Sequence, residues 1–193
     1  CNSRLTPHAL ESVLIDGCIR QGKDVSCFGA GLTTIGIRMS GLVQTADSFT
    51  AVNKLVYQEK VLSIERLWEG ISTNFAKDEA LRAMLVNRAP KYGNDCDEAD
   101  RTARELGQYL CRAVGRRHHI SGSPLRPGLF SYLEFMDGER CAALPDGHRA
   151  RQPFANGVSP AHGRDREGLT AMLRSAAKLD YSLSNNAATL DVK

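Results

Sequence analysis

The sequence predicts a helix-rich α/β fold. Apolar residues recur at helical spacing along most of the 193-residue chain, and two stretches read instead as extended backbone. The composition agrees: 42% hydrophobic and 24% charged residues, with 17 Gly and 7 Pro, describe a globular chain rather than a disordered, collagenous or coiled-coil one. With 6% aromatic residues and one Trp, any core is mainly aliphatic.

The elements follow in order. Thr6-Pro7 is a helix start, a hydroxyl cap followed by a proline in the first turn. Leu10, Val13, Leu14 and Cys18 then share a face, and Gly22 closes the run. Residues 27–42, punctuated by Gly29, Gly31, Gly36 and Gly41, read as extended chain with close backbone approaches. Asp47 to Tyr57 places Phe49, Val52, Leu55 and Val56 on one helical stripe. Ser63 caps a helix bearing Ile64, Leu67, Trp68, Ile71 and Phe75, and Asp78 begins a shorter one with Leu81, Met84 and Leu85. Asp95 and Glu98 have capping-box spacing ahead of a stripe of Ala99, Ala103, Leu106, Leu110 and Val114 that stops at Gly115. All these stripes are expected to be core faces.

Beyond Arg116 the texture changes. Arg116-Arg117-His118-His119 reads as a solvated cap at the negative end of a helix, with phosphate contact as the sharper alternative. Leu129 to Phe135 is a predicted strand, and Asp137-Gly138 a predicted turn. Residues 144–168 form a long loop rich in Gly, Pro and Arg, with Leu144-Pro145-Asp146-Gly147 as a tight turn; loops of that length are often functional. Leu169 to Leu179 is the last helix, with Met172, Leu173 and Ala176 inward.

Several classes are disfavoured. A net charge of +3 leaves little excess for nucleic-acid binding. No apolar run spans a membrane, and the opening Cys1-Asn2-Ser3-Arg4-Leu5 has no signal-peptide pattern. The six cysteines lack C-x-x-C spacing and read as reduced thiols of a cytoplasmic protein. Cys111 with His118 and His119 imitates a metal site without a second cysteine at ligand spacing, and Asn94-Asp95-Cys96-Asp97 imitates a calcium loop with its Gly and Glu misplaced. His162, beside Asp165 and Arg166, could act as a general base, but no nucleophile accompanies it and a surface histidine is the simpler reading. No nucleophile elbow, P-loop or dinucleotide fingerprint is present.

A series of short words nevertheless runs through the chain: Leu14-Ile15-Asp16-Gly17-Cys18-Ile19, Thr45-Ala46-Asp47-Ser48, Ala89-Pro90-Lys91-Tyr92-Gly93-Asn94-Asp95, Arg126-Pro127-Gly128, Leu144-Pro145-Asp146-Gly147, Gly157-Val158-Ser159-Pro160, Gly163-Arg164-Asp165 and Ser175-Ala176-Ala177-Lys178-Leu179-Asp180. In this order they resemble the glycyl radical enzymes, the pyruvate formate-lyase-like group. The resemblance covers essentially the whole chain. It implies part of a ten-stranded β/α barrel, with residues 1–193 a partial domain incomplete at both ends.

The resemblance also implies the chemistry. A glycine in an Arg-Val-x-Gly-Tyr loop is made a backbone radical by an activase that uses an iron–sulfur cluster and S-adenosylmethionine. The radical passes to a cysteine in a Gly-Cys-x-Glu loop, which abstracts hydrogen from a small organic substrate so that a C–C or C–X bond breaks. Neither word occurs here, and Gly17-Cys18-Ile19-Arg20 has Arg where Glu is required. The chain is therefore expected to lie between the two loops, to bind no cofactor and to be inactive alone. Its intact parent would be an anaerobic, cytoplasmic, homodimeric lyase or dehydratase. By the same resemblance Ser131, Tyr132, Leu133 and Phe135 line the substrate pocket, with core strand packing as the plain alternative. Departures include Leu32-Thr33, His148 after Pro-Asp-Gly, Leu169 before Thr-Ala and a short connection from Phe135 to Cys141. They leave open a non-catalytic relic or helical interaction module.

Overall fold

The computed structural model describes residues 6–192; Cys1 lies outside them. Helices dominate. In chain order they are α1 (Ala9–Leu14), α2 (Cys18–Gln21), α3 (Leu42–Val52), α4 (Ile64–Ser72), α5 (Glu79–Asn87), α6 (Asp97–Gly115), α7 (Glu134–Glu139) and α8 (Gly168–Ala177). The strands are β1 (Ile35–Arg38) and β2 (Leu125–Gly128). They pair in parallel, Ile35 opposite Leu125 and Arg38 opposite Gly128. Parallel pairing requires a long crossover, and α3 to α6 provide it. A third run lies along the other side of β2. The Asn186 N–H donates to the Pro127 carbonyl at 3.0 Å, Leu129 N–H to Ala187 at 2.8 Å and Thr189 N–H to Leu129 at 3.3 Å. The helix-rich α/β class holds, in the form of a sliver of parallel sheet with helices packed against it.

Helix α6 packs on α3 because its inner face is small. Ala99 and Ala103 are fully buried, and at Gly107 an added Cβ would lie 3.7 Å from Leu42 and 3.9 Å from Leu129. Leu42, Val43, Tyr92, Leu129, Val158 and Leu179 complete this core. A second core joins the end of α3 to α4 and α5 through Leu55, Leu67, Phe75, Leu81 and Leu85. Each large aliphatic side chain buried there contributes about 2 kcal/mol of transfer free energy. The predicted caps Ser63 and Asp78 are in place, accepting from the N–H groups of Arg66 (3.2 Å) and Leu81 (2.8 Å).

Several expectations change, among them the inward placing of Phe49, Trp68 and Leu173, which are exposed, and the Thr6 cap, whose place at α1 is taken by His8. The first stripe is split into α1 and α2 by Gly17, whose positive φ of 96° allows its backbone to lie against Gly31. Its Leu10, Val13 and Leu14 face solvent rather than a core. The strand expected over Leu129 to Phe135 lies earlier, at Leu125–Gly128. Beyond Leu129 the chain turns away from the sheet, and α7 starts at Glu134. Asp137-Gly138 sits inside α7, where the glycine is needed because a Cβ would run into the Gln152 carbonyl. Asp95 is not a cap: with φ 54° it turns toward Lys178 (2.7 Å) and Arg174 (3.3 Å), and Cys96 takes the cap position. Lys178 also reaches Asp97 and the fully buried Asp100, both at 2.8 Å, pinning α8 to the start of α6.

Candidate functional site

In parallel α/β sheets, sites form at the carboxyl ends of the strands, where the loops begin. Here β1 ends at Arg38 and β2 at Gly128. The Arg38 guanidinium donates to Ser131 Oγ at 2.8 Å and to both carboxylate oxygens of Asp137, and it stacks 5.7 Å from the centre of the Tyr132 ring. Hydrogen bonds from Arg38 hold the Asp137 carboxyl below the usual carboxylate range. Ser131 Oγ accepts from Leu133 N–H at 3.2 Å, and Ser131 N–H donates to Asn156 Oδ1 at 3.3 Å. Asn156 also accepts from Thr189 Oγ1 at 3.1 Å and donates to Asp191. One asparagine of the long loop thus links the end of β2 to the C-terminal run.

Of the predicted residues, Ser131 is buried inside this network, Leu133 is half-buried, and Tyr132 and Phe135 are largely exposed. Ser131 and Tyr132 converge on Arg38. Glu134, beside them, keeps Oε2 buried without a partner. The arrangement can orient a polar substrate by hydrogen bonds and the guanidinium charge; it holds no paired nucleophile and base. Sequence reading missed Arg38, Asp137 and Asn156. Their position at strand ends and in the long loop was the available signal, but it needed the correct strand boundary.

Behind this edge lies a buried charged cluster built from the short words. Asp47 Oδ1 accepts from Tyr92 N–H at 2.8 Å, and its Oδ2 has no hydrogen bond. Burial pushes the Asp47 carboxyl up to about 7, against the opposing pull of Lys91. The Lys91 ammonium, itself lowered by burial, donates to the carbonyls of Leu85 (2.7 Å) and Ala89 (3.2 Å). Asp146 accepts from His148 N–H at 2.9 Å, and burial raises its carboxyl and lowers the His148 imidazole. Asp47, Lys91, Asp146 and Arg164 come from four different words and influence one another electrostatically.

The remaining candidates separate. Cys111 is buried in the α6 core, whereas His118 is exposed beyond its end; among the described residues no three His, Cys, Asp or Glu groups could hold a metal ion. Arg117 donates to the Ala113 carbonyl, as a cap at a helix end does. His162 is exposed. Cys18, Cys27, Cys96, Cys111 and Cys141 are free thiols. No helix among the described residues is long and apolar enough to cross a membrane.

Comparison with known proteins gives the site its context. Residues 1–134 match the family model described as pyruvate formate lyase-like, and residues 154–193 match the glycine radical model. The chain belongs to the glycyl radical enzymes. It is 33% identical to trans-4-hydroxy-L-proline dehydratase of Clostridioides difficile, over 91% of this chain and 22% of that protein. To (2S)-3-sulfopropanediol dehydratase of Klebsiella oxytoca it is 28% identical, over 98% and 24% respectively. The glycerol-bound B12-independent glycerol dehydratase of Clostridium butyricum superposes with a TM-score of 0.90 at 35% identity, covering 98% of this chain and 24% of that one. The chain therefore spans about a quarter of the length of these glycyl radical enzymes, as a piece of their barrel. The two family segments meet at the strand ends, where Ser131 of the first is bonded to Asn156 of the second.

Proposed function

We propose that this chain acts as part of a larger glycyl radical enzyme, a lyase, dehydratase or decarboxylase that breaks a C–C or C–X bond of a small organic substrate. Residues 1–193 supply a portion of the barrel wall and the seam where the wall meets the glycine radical segment. Ser131, Tyr132, Leu133 and Phe135 border the substrate pocket, with Arg38 holding the first two. The single observation that carries this reading is the coincidence of that seam with the ends of two parallel strands. Hydrogen abstraction belongs to a thiyl cysteine and a glycyl radical whose sequence words are absent from these 193 residues, so the chain alone is inactive. The assembled enzyme is a cytoplasmic, anaerobic homodimer activated by an S-adenosylmethionine and iron–sulfur protein.

The exposed Leu10, Val13 and Leu14 face favours this reading over a free-standing interaction module, since such a stripe buries against further structure. Sequencing the gene on both sides of these codons tests it. The expected result is a Gly-Cys-x-Glu word upstream and an Arg-Val-x-Gly-Tyr word downstream in one reading frame. Intact flanks that lack both would overturn the catalytic reading and leave the relic.

A further inference from the structure

Next to the buried charged cluster, a cavity of about 450 Å³ is lined by Gln44, Arg82, Phe135, Asp146, His148 and Arg164. Its polar groups are short of partners. Gln44 is 1% exposed with Oε1 unbonded, His148 is 6% exposed with Nε2 unbonded, and the Arg82 Nε is buried without an acceptor. The Arg164 guanidinium is half-buried and makes no hydrogen bond or ion pair among the described residues; only its backbone is engaged, by Asn94 and Ala161. A guanidinium carries five donors, and buried polar groups in folded proteins are almost always satisfied. The unmet donors of Arg82 and Arg164, set beside the unmet acceptor of Gln44, call for an occupant rich in acceptors that also carries a donor.

The charge balance gives its sign. Arg164 and Lys91 act electrostatically on Asp47 and Asp146, and both carboxylates already accept a backbone N–H. Arg82 is paired with Glu79 through Nη1 at 3.0 Å, which leaves its buried Nε toward the cavity without an acceptor. Because burial pushes Asp47 up to about 7, part of the negative charge is missing at neutral pH. Burial, together with the like charges of Arg82 and Arg166, holds Arg164 below the ordinary arginine range, a penalty that a counter-ion relieves. The two guanidiniums suit a planar carboxylate, which they can take in a fork. The Phe135 ring, Pro153 and Ala161, which also line the cavity, suit a short carbon skeleton, and Gln44 and His148 suit a hydroxyl on it.

We infer that this cavity binds a small hydroxycarboxylate, its carboxylate between Arg164 and Arg82 and its hydroxyl toward Gln44 and His148. The site shares Phe135 with the proposed substrate pocket but not Arg38, Ser131 or Tyr132, and its test reads binding, not turnover.

The 193-residue chain is titrated at constant ionic strength with lactate, with 1,2-propanediol (the same skeleton without a carboxylate) and with inorganic phosphate. Melting temperature and the arginine Nε–H resonances are followed. Lactate should raise the melting temperature saturably and move the Arg82 and Arg164 signals, while propanediol does neither. Arg164→Gln should weaken lactate binding about tenfold or more, and so should Gln44→Glu, which keeps the volume and adds a negative charge. Arg174→Gln, which lies outside the cavity, should leave it unchanged. No saturable effect up to about 50 mM lactate, or equal binding by both cavity variants, would overturn the inference. Phosphate binding as tightly as lactate would overturn the carboxylate assignment. Should Arg164→Gln fail to fold, the near-isosteric Gln44→Glu decides.

Discussion

Arg38, at the end of β1, grips Asp137 of α7, ninety-nine positions later in the chain, through both of its terminal nitrogens. Their side chains are 25% and 23% exposed, so water screens the pair less than it would at the open surface. The same guanidinium bonds Ser131 and stacks on Tyr132, so one side chain fixes the turn that leads out of β2. Without it α7 would be left at the strand end to weaker contacts, such as the Ser131 hydroxyl on Asp137 (3.4 Å) and Phe154 N–H on the Glu134 carbonyl (3.2 Å), and Ser131 and Tyr132 would lose their common anchor.

Arg38→Met should therefore destabilise the chain by about 2 kcal/mol, mainly because Asp137 is left partly buried without its cation. Arg38→Lys should cost less, since an ammonium keeps the charge but loses the fork. Urea unfolding midpoints measure both. A Met variant as stable as the parent would reduce the pair to a surface contact.

The helices were largely legible in the sequence, but this edge was not. Ser63, Asp78 and Gly115 punctuate helices where local chemistry says they should, because caps and stops depend on neighbours a few residues away. The Leu129 to Phe135 run misleads because its apolar residues mimic a strand, while the decisive partners, Arg38 and Asn156, are distant in sequence. Asp95 looks like a cap for the same reason: Lys178, which captures it, is more than eighty positions away. The short words marked the buried charged cluster without saying what it is. Asp47, Lys91, Asp146 and Arg164 look like ordinary surface charges until folding brings them within electrostatic reach of one another, Asp146 and Arg164 against one cavity.

The cluster should leave a signature in the pH dependence of stability. Asp47 binds its proton more tightly folded, at about 7, than at its ordinary 3.8, because burial penalises the charged form. Between those values the folded state holds the extra proton, so this contribution is fully present at low pH and is lost as pH rises through about 7. Asp146, also raised by burial, acts with the same sign. His148, lowered by burial, opposes them on the acid side. Asp78, Asp95 and Asp97, whose pKa values are lowered by hydrogen bonds from Arg66 or Lys178, act only below about pH 4. Asp47→Asn should accordingly flatten the decline in urea midpoint between about pH 5 and pH 8, leaving a residue from Asp146. An unchanged slope would mean that Asp47 is ionised throughout that range, with Lys91 neutralising it.

The seam between the two family segments depends on one glycine. Gly157, at φ +57°, carries the long loop past the backbone of Thr189 and within reach of the Leu129 carbonyl; a Cβ there would run into Thr189 and approach the Leu129 oxygen at 2.8 Å. Two ladder bonds rely on that approach, Val158 N–H to the Thr189 carbonyl at 2.9 Å and Thr189 N–H to the Leu129 carbonyl at 3.3 Å. Gly157→Ala should push the loop outward and weaken both, while Leu67 and Leu81, in the separate α4–α5 core, are untouched. Amide hydrogen exchange reads the difference directly. Exchange at Val158 and Thr189 should quicken about tenfold or more, equivalent to about 1.4 kcal/mol of local opening free energy, with the amides of α4 and α5 unchanged. Uniform acceleration across the chain would instead show that the seam opens only by global unfolding, and no acceleration would show that the C-terminal run is held by Asn156 and Ser184 without the glycine's help.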